Sequence, residues 1–145
     1  MKIKIVNKSN NELPSYAEPF SAGIDLRAHI VEGAIILEPG QRKLISTGLF
    51  MELPEGTYGM ITPRSGLAAK FGISIVNSPG ICDSSYRGEY KVILINLGSE
   101  PFKIYNGDRI AQMILMNYNK IEFELVEELS ETQRGSNGFN SSGVK

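Results

Sequence analysis

The run KLISTGLFMEL at 43–53, the turn Leu53-Pro54-Glu55-Gly56 and the run YGMIT at 58–62 carry the architecture of this chain in miniature. Both runs are rich in β-branched and aromatic residues, and a Pro-Gly turn punctuates them, which is the pattern of short strands. Working outward, similar segments recur at 3–6, 34–37, 73–76, 90–96, 110–118 and 121–126. Further turn signals lie at Glu38-Pro39-Gly40, Asn77-Ser78-Pro79-Gly80 and Asn106-Gly107-Asp108. Many short strands at this spacing predict an all-β sandwich or barrel. Helical character is confined to GLAAKF at 66–71 and to a stretch over 124–132.

A chain of 145 residues with 41% apolar content fills one core, so one domain is expected over 1–130. From 131 to 145 Gly, Ser and Asn dominate and Phe139 is the only large apolar group, which predicts a flexible C-terminal arm held by a ligand or a neighbouring subunit. With 15 basic against 16 acidic residues and a net charge of −1, the chain has no global field for a nucleic-acid polymer, so phosphate binding must be local. One cysteine, Cys82, and one histidine, His29, exclude an internal disulfide framework and a Cys/His zinc site. A reducing, cytoplasmic setting fits that usage. The N-terminus has no apolar leader and no segment is long enough to span a bilayer, so no membrane partner is expected.

Five glycine-punctuated polar clusters stand out: AGIDL at 22–26, PRSGLA at 63–68, GICDSSYRGE at 80–89, GDRIAQ at 107–112 and RGSNGFNSSG at 134–143. Arg64, Ser65 and Gly66 combine a cation, a hydroxyl and free backbone N–H groups, which suits an anion; alone, the string reads more readily as a strand-to-helix turn with a surface arginine. The last cluster repeats that chemistry with Arg134, Ser141 and Ser142, and Phe139 adds a ring able to stack on a base. Asp83 and Tyr86 place an acid and a phenol in a glycine-bounded turn, and Asn77 offers a donor and an acceptor just upstream. Asp25 and Asp83 near a triphosphate have two available tasks, orienting metal-bound water and accepting a proton from an attacking water. Each also reads as a turn cap. Gln112 is a polar residue in an apolar run, either a phosphate donor or a strand's wet side. Asp108 and Arg109 read as a structural pair at their turn, His29 as a surface or strand-end residue, and 124–131 as a solvated face.

In this order and spacing, the clusters resemble the five motifs of the trimeric dUTP diphosphatases, the dUTPases, over residues 22–143. The resemblance implies a jelly-roll-like β fold, a homotrimer with sites built from segments of all three chains, and hydrolysis of dUTP to dUMP and pyrophosphate. Mg²⁺ would ride on the triphosphate, with Asp25 supporting its water shell. Carried over by position, Asp83 would be the general base. Arg64, Ser65, Gly66 and Gln112 would bind phosphates, with Ser65 and Gln112 nearest the scissile end. Asn77 would pair with uracil and Tyr86 would pack on deoxyribose, leaving no room for a 2′-hydroxyl. Arg134, Ser141 and Ser142 would close over the γ-phosphate, and Phe139 would lie over uracil. Three departures mark this chain: Ser85 where many members have an acid, Asn137 and Asn140 in place of glycines, and Cys82, expected to act as a small buried hydrophobe, in place of an aliphatic. Two rival readings share most of these residues, a dCTP deaminase-like enzyme and a non-catalytic nucleotide sensor.

Overall fold

The computed structural model describes residues 1–138. In chain order the elements are β1 (Lys4–Asn7), β2 (Ile24–Arg27), β3 (Ala34–Leu37), β4 (Arg42–Ser46), β5 (Leu49–Glu52), β6 (Thr57–Thr62), α1 (Ser65–Phe71), β7 (Ile73–Ile75), β8 (Gly80–Asp83), β9 (Lys91–Asn96), β10 (Phe102–Tyr105) and β11 (Arg109–Asn117). They form an antiparallel four-stranded sheet in the order β2-β11-β6-β8, a three-stranded sheet β4-β9-β7, and two ribbons, β1-β5 and β10-β3. The all-β expectation holds. Among the described residues the sheets stay open rather than closing into a barrel.

Period-two alternation explains the layering. Thr57, Gly59 and Ile61 of β6 face inward while Tyr58, Met60 and Thr62 are partly wet; Val92, Leu94 and Asn96 of β9 do the same on the other sheet. Leu26, Leu37, Ile45, Ile73, Leu94, Ile104, Ile110 and Met113 fill the space between, each almost wholly excluded from water. Each contributes roughly 1.5–3 kcal/mol by the area it removes from solvent. Asn96 is buried along with Thr47 and Thr57, and its side chain is fully used: its amide donates to Leu37 O at 2.9 Å and Glu100 O at 2.8 Å, and its Oδ1 accepts from Gly98 N at 2.9 Å.

Several boundaries differ from expectation. The run at 43–53 is two strands in different sheets, because Gly48 adopts φ +69° and turns the chain between β4 and β5. AGIDL and GICD, read as polar clusters, contain β2 and β8, and β10 adds a strand the pattern did not mark. Short α1 is where GLAAKF predicted it and ends on Gly72 at φ 68°, whose N–H reaches Ala68 O and Leu67 O. The segments expected as a strand over 121–126 and a helix over 124–132 are neither. Ile121, Phe123, Leu125 and Leu129 are largely exposed there, so this stretch has β-type apolar alternation at 121–125 and nothing among the described residues to cover it.

One irregularity positions the site. β11 pairs Arg109 with Arg27, Ala111 with Leu26 and Gln112 with Asp25, so Ile110 is an extra residue bulged into the ladder.

Candidate active site

Two separate hollows gather the polar residues. The first lies beside β8 and holds about 320 Å³; Asn77, Gly80, Asp83, Tyr86 and Glu89 line it, with Ile61, Ile75 and Val92 as its apolar wall. Asp83 ends β8, is exposed, and its carboxylate makes no hydrogen bond or ion pair among the described residues. Its main-chain carbonyl accepts from Tyr86 N at 3.1 Å, closing the turn that swings the phenol back over the strand end. Gly80 lets Asn77 lie close, since a Cβ there would stand 3.3 Å from Asn77 Nδ2. Tyr86 is 44% exposed, its hydroxyl donates to Glu89 O at 3.0 Å, and its ring packs on Tyr90 at a centroid distance of 5.9 Å.

Cys82 sits behind Asp83, half-buried against the core, as its reading as a small hydrophobe anticipated. Burial, and after it the Asp83 charge, push its thiol up to about 11. Tyr90 is 1% exposed and its hydroxyl is buried without a partner among the described residues. Burial pushes this phenol up to about 12, so it stays neutral.

The second hollow, about 390 Å³, lies across the sheet and is lined by Ser21, Gly23, Asp25, Arg64, Ser65, Gly66 and Gln112. Asp25 is the hub: its carboxylate meets Arg64 Nε at 2.9 Å and Arg109 Nη1 at 3.2 Å, with its side chain 17% exposed. Arg64 Nη1 also donates to Arg109 O at 3.0 Å, which fixes the plane of the guanidinium and leaves part of its fork for a ligand. Gln112 Nε2 donates to Pro63 O at 3.1 Å, and Gly23 gives its amide room, since a Cβ on Gly23 would lie 3.0 Å from Gln112 Oε1. Ser65 and Gly66 open α1, where N–H groups have no intrahelical acceptor. A Cβ on Gly66 would meet nothing within 4 Å, so the backbone here faces open space.

The predicted pairing of Asp108 with Arg109 is replaced by two other bonds. Asp108 Oδ2 accepts from Tyr105 N at 2.8 Å and caps its turn, while Arg109 reaches Asp25 across 84 positions of sequence. Arg109 lines neither hollow but holds Asp25 from behind, a contact that local reading did not find because it is defined only by sheet register. His29 lies just past β2, donates its N–H to Ser46 O at 2.8 Å, and lines neither hollow. Arg134 donates to Asn137 O at 2.9 Å within its own turn and also lines neither hollow. Phe139, Asn140, Ser141 and Ser142 lie outside the described residues.

The two hollows share no lining residue. Asp25 and Asp83 occupy opposite edge strands of β2-β11-β6-β8, and β6 pairs Thr62 with Gln112 but Tyr58 with Asp83. Three strand spacings and four residues of register place them roughly 14 Å apart across the sheet and 13 Å along it.

The donor set fits a divalent cation in only one way. No group of three His, Cys, Asp or Glu side chains converges among the described residues, and Asp25 is already held by two guanidiniums. Such a site would suit Mg²⁺ that kept its waters and was carried on phosphates, and the remaining lone pairs of Asp25 would be available to that water shell. No helix of the described residues is long and apolar enough to cross a membrane.

A groove with an oriented guanidinium and an open floor, and a cleft with an unengaged carboxylate, have the chemistry of an all-β protein that takes a phosphorylated small molecule. The family model for dUTPase matches residues 9–143. A deoxyuridine 5′-triphosphate nucleotidohydrolase of Cytophaga hutchinsonii is 55% identical over 97% of this chain and 91% of its own length. The protein of that name from Finegoldia magna is 51% identical over 99% of both chains. Among solved structures, the Staphylococcus bacteriophage 80alpha dUTPase with dUPNHPP superposes with a TM-score of 0.89 at 26% identity, covering 99% of each chain. The chain belongs to the dUTPase family.

Proposed function

We propose that this protein hydrolyses dUTP to dUMP and pyrophosphate by attack of water on the α-phosphorus. The observation that carries the reading is the Asp83 carboxylate, free of partners among the described residues, in a cleft it shares with Asn77 and Tyr86. An ionised carboxylate beside a phosphorus can take the proton of the attacking water as the new P–O bond forms. Asn77 presents an amide edge to uracil, and Tyr86 covers the sugar. Arg64, Ser65, Gly66 N–H and Gln112 stabilise charge moving toward the leaving pyrophosphate. Bound Mg²⁺ supplies charge neutralisation on the triphosphate and orders its oxygens. Arg134, Phe139, Ser141 and Ser142, in the arm over 131–145, close over the γ-phosphate and base.

The distance between the hollows supports a shared site. A base acts through at most one water, at hydrogen-bond reach of about 3 Å, whereas a single copy separates Asp83 from Gln112 by far more. The Asp83 cleft of one copy therefore works with the Arg64 groove of another, in the homotrimer the motifs imply. The exposed apolar side chains of Leu44, Val76, Ile81, Phe123 and Leu125 favour such association.

Incubation with dUTP, UTP, dTTP and dCTP, with and without Mg²⁺, is expected to release pyrophosphate from dUTP alone and only with the metal. Intact dUTP overturns the reading, and ammonia from dCTP replaces it with deamination. Subunit sharing has its own test: Asp83→Asn and Ser65→Ala proteins, each inactive, should regain activity when unfolded and refolded as a mixture. No recovery would place each site within one chain.

A further inference from the structure

We propose that Glu89 is the positioning residue that sets the height of Tyr86 over the sugar, and so helps to determine the discrimination between deoxyribose and ribose. The inference rests on the reading of Tyr86 given above and concerns what holds that ring in place.

Tyr86 is located by its own hairpin. Its hydroxyl donates to Glu89 O at 3.0 Å, and its ring lies so close over Gly88 that a Cβ there would stand 2.3 Å from the hydroxyl oxygen. The ring therefore follows the backbone at 88–89. That backbone is tied down by the Glu89 side chain, which reaches back across the fold to the β4–β5 connection. Glu89 Oε1 accepts from Gly48 N at 2.8 Å and from the Ser46 hydroxyl, and Oε2 faces Lys91 Nζ at 3.3 Å. The next residue is fastened to the same connection: Tyr90 N donates to Leu49 O at 2.8 Å, and the Thr47 hydroxyl donates to Tyr90 O.

The carboxylate is suited to this task by its charge. Burial works against ionisation, but the bonds from Ser46, Gly48 and Lys91 outweigh it and hold Glu89 below the usual carboxylate range. An ionised acid accepts from all three donors at once, whereas an amide turns one N–H₂ toward a donor and loses a contact. Among the described residues no hydrogen bond or ion pair joins Glu89 to Asp83, although both line the same cleft. Its loss should let the ring ride up and admit a 2′-hydroxyl without removing the base.

The measurement is kcat/KM for dUTP and for UTP, by pyrophosphate release with Mg²⁺, in the wild type, Glu89→Gln, Ser46→Ala and Tyr86→Ala. Their ratio does not depend on how much protein is correctly folded, so a general loss of structure leaves it unmoved. Glu89→Gln is expected to narrow the dUTP/UTP ratio by about tenfold. Ser46→Ala, which keeps the charge and removes one donor, should narrow the ratio by about twofold and carries the test if Glu89→Gln does not fold. An unchanged ratio in both variants, with Tyr86→Ala collapsing it, overturns the clamp and leaves the sugar gate standing. An unchanged ratio in Tyr86→Ala removes the gate, and the clamp with it.

Discussion

Asp83 and Asp25 are the same amino acid at opposite edges of one sheet, and their surroundings give them opposite kinds of work. Asp83 ends β8 with its carboxylate unengaged, in a cleft walled by apolar side chains. Asp25 is engaged, with a guanidinium on each oxygen and its side chain mostly covered. A free acid can exchange a proton during a reaction; one that orders two arginines holds a groove in shape. On the proposed mechanism, chemistry and architecture are divided between two carboxylates by what the sheet register places beside each.

The largest consequence falls on Asp83. Asp83→Asn should lower kcat about 10²–10⁴-fold with nucleotide affinity retained by calorimetry. Because no partner is lost, Tm should stay where it is, and a large Tm shift would mean the carboxylate is structural after all. Asp25→Asn should do both things at once. Releasing Arg64 and Arg109 is expected to cost roughly tenfold in kcat/KM and about 1 kcal/mol in stability, or a few degrees in Tm. A kinetic loss with no thermal change would turn Asp25 from a groove-builder into a direct participant.

Gly66 tests the groove without touching its ion pairs. Nothing in the fold requires glycine there, so Gly66→Val should leave Tm almost unchanged while lowering kcat/KM for dUTP about tenfold by filling the open floor. Unaltered kinetics would show that the ligand does not pass that point. The smallest effect reads the Asp83 charge through its neighbour. With its thiol near 11, Cys82 should be alkylated at pH 8 at least tenfold more slowly than a free cysteine. Asp83→Asn should speed that reaction modestly, since Asp83 is the second cause after burial. Equal rates in both proteins would separate the two side chains electrostatically.

Much of the frame was legible in the chain because alternation is a local signal. β6 and β9 read directly from YGMIT and from VILIN, where every second residue is buried. β2 and β8 were hidden for a physical reason: they are four residues long, and each carries an aspartate that serves the site. The stretch at 121–126 has the alternation of a strand but finds no pairing neighbour among the described residues, and pairing is a tertiary fact. Residue types at the site, the Arg64-Ser65-Gly66 turn and the Asp83-Tyr86 hairpin, were visible in sequence. The Asp25-Arg64-Arg109 arrangement was not, since the ion pairs join residues from three separate segments through the ladder of β2 and β11. Glu89 escaped notice similarly: its donors at Ser46 and Gly48 lie more than 40 positions away.

The bulge at the head of β11 governs how this protein tolerates genetic change. Ile110 is the odd residue that lets Arg109 face Arg27 while Gln112 lies opposite Asp25. Dropping the Ile110 codon would only make the ladder regular, whereas a codon dropped from 111–117 would leave the adjoining motif spelled almost as before yet turn the side chains on one side of the gap through to the other face of the sheet. Diverging gene copies can exchange letters along this strand, but an insertion or deletion is a different matter. Beyond the bulge, spacing constrains this strand more tightly than the identity of its letters.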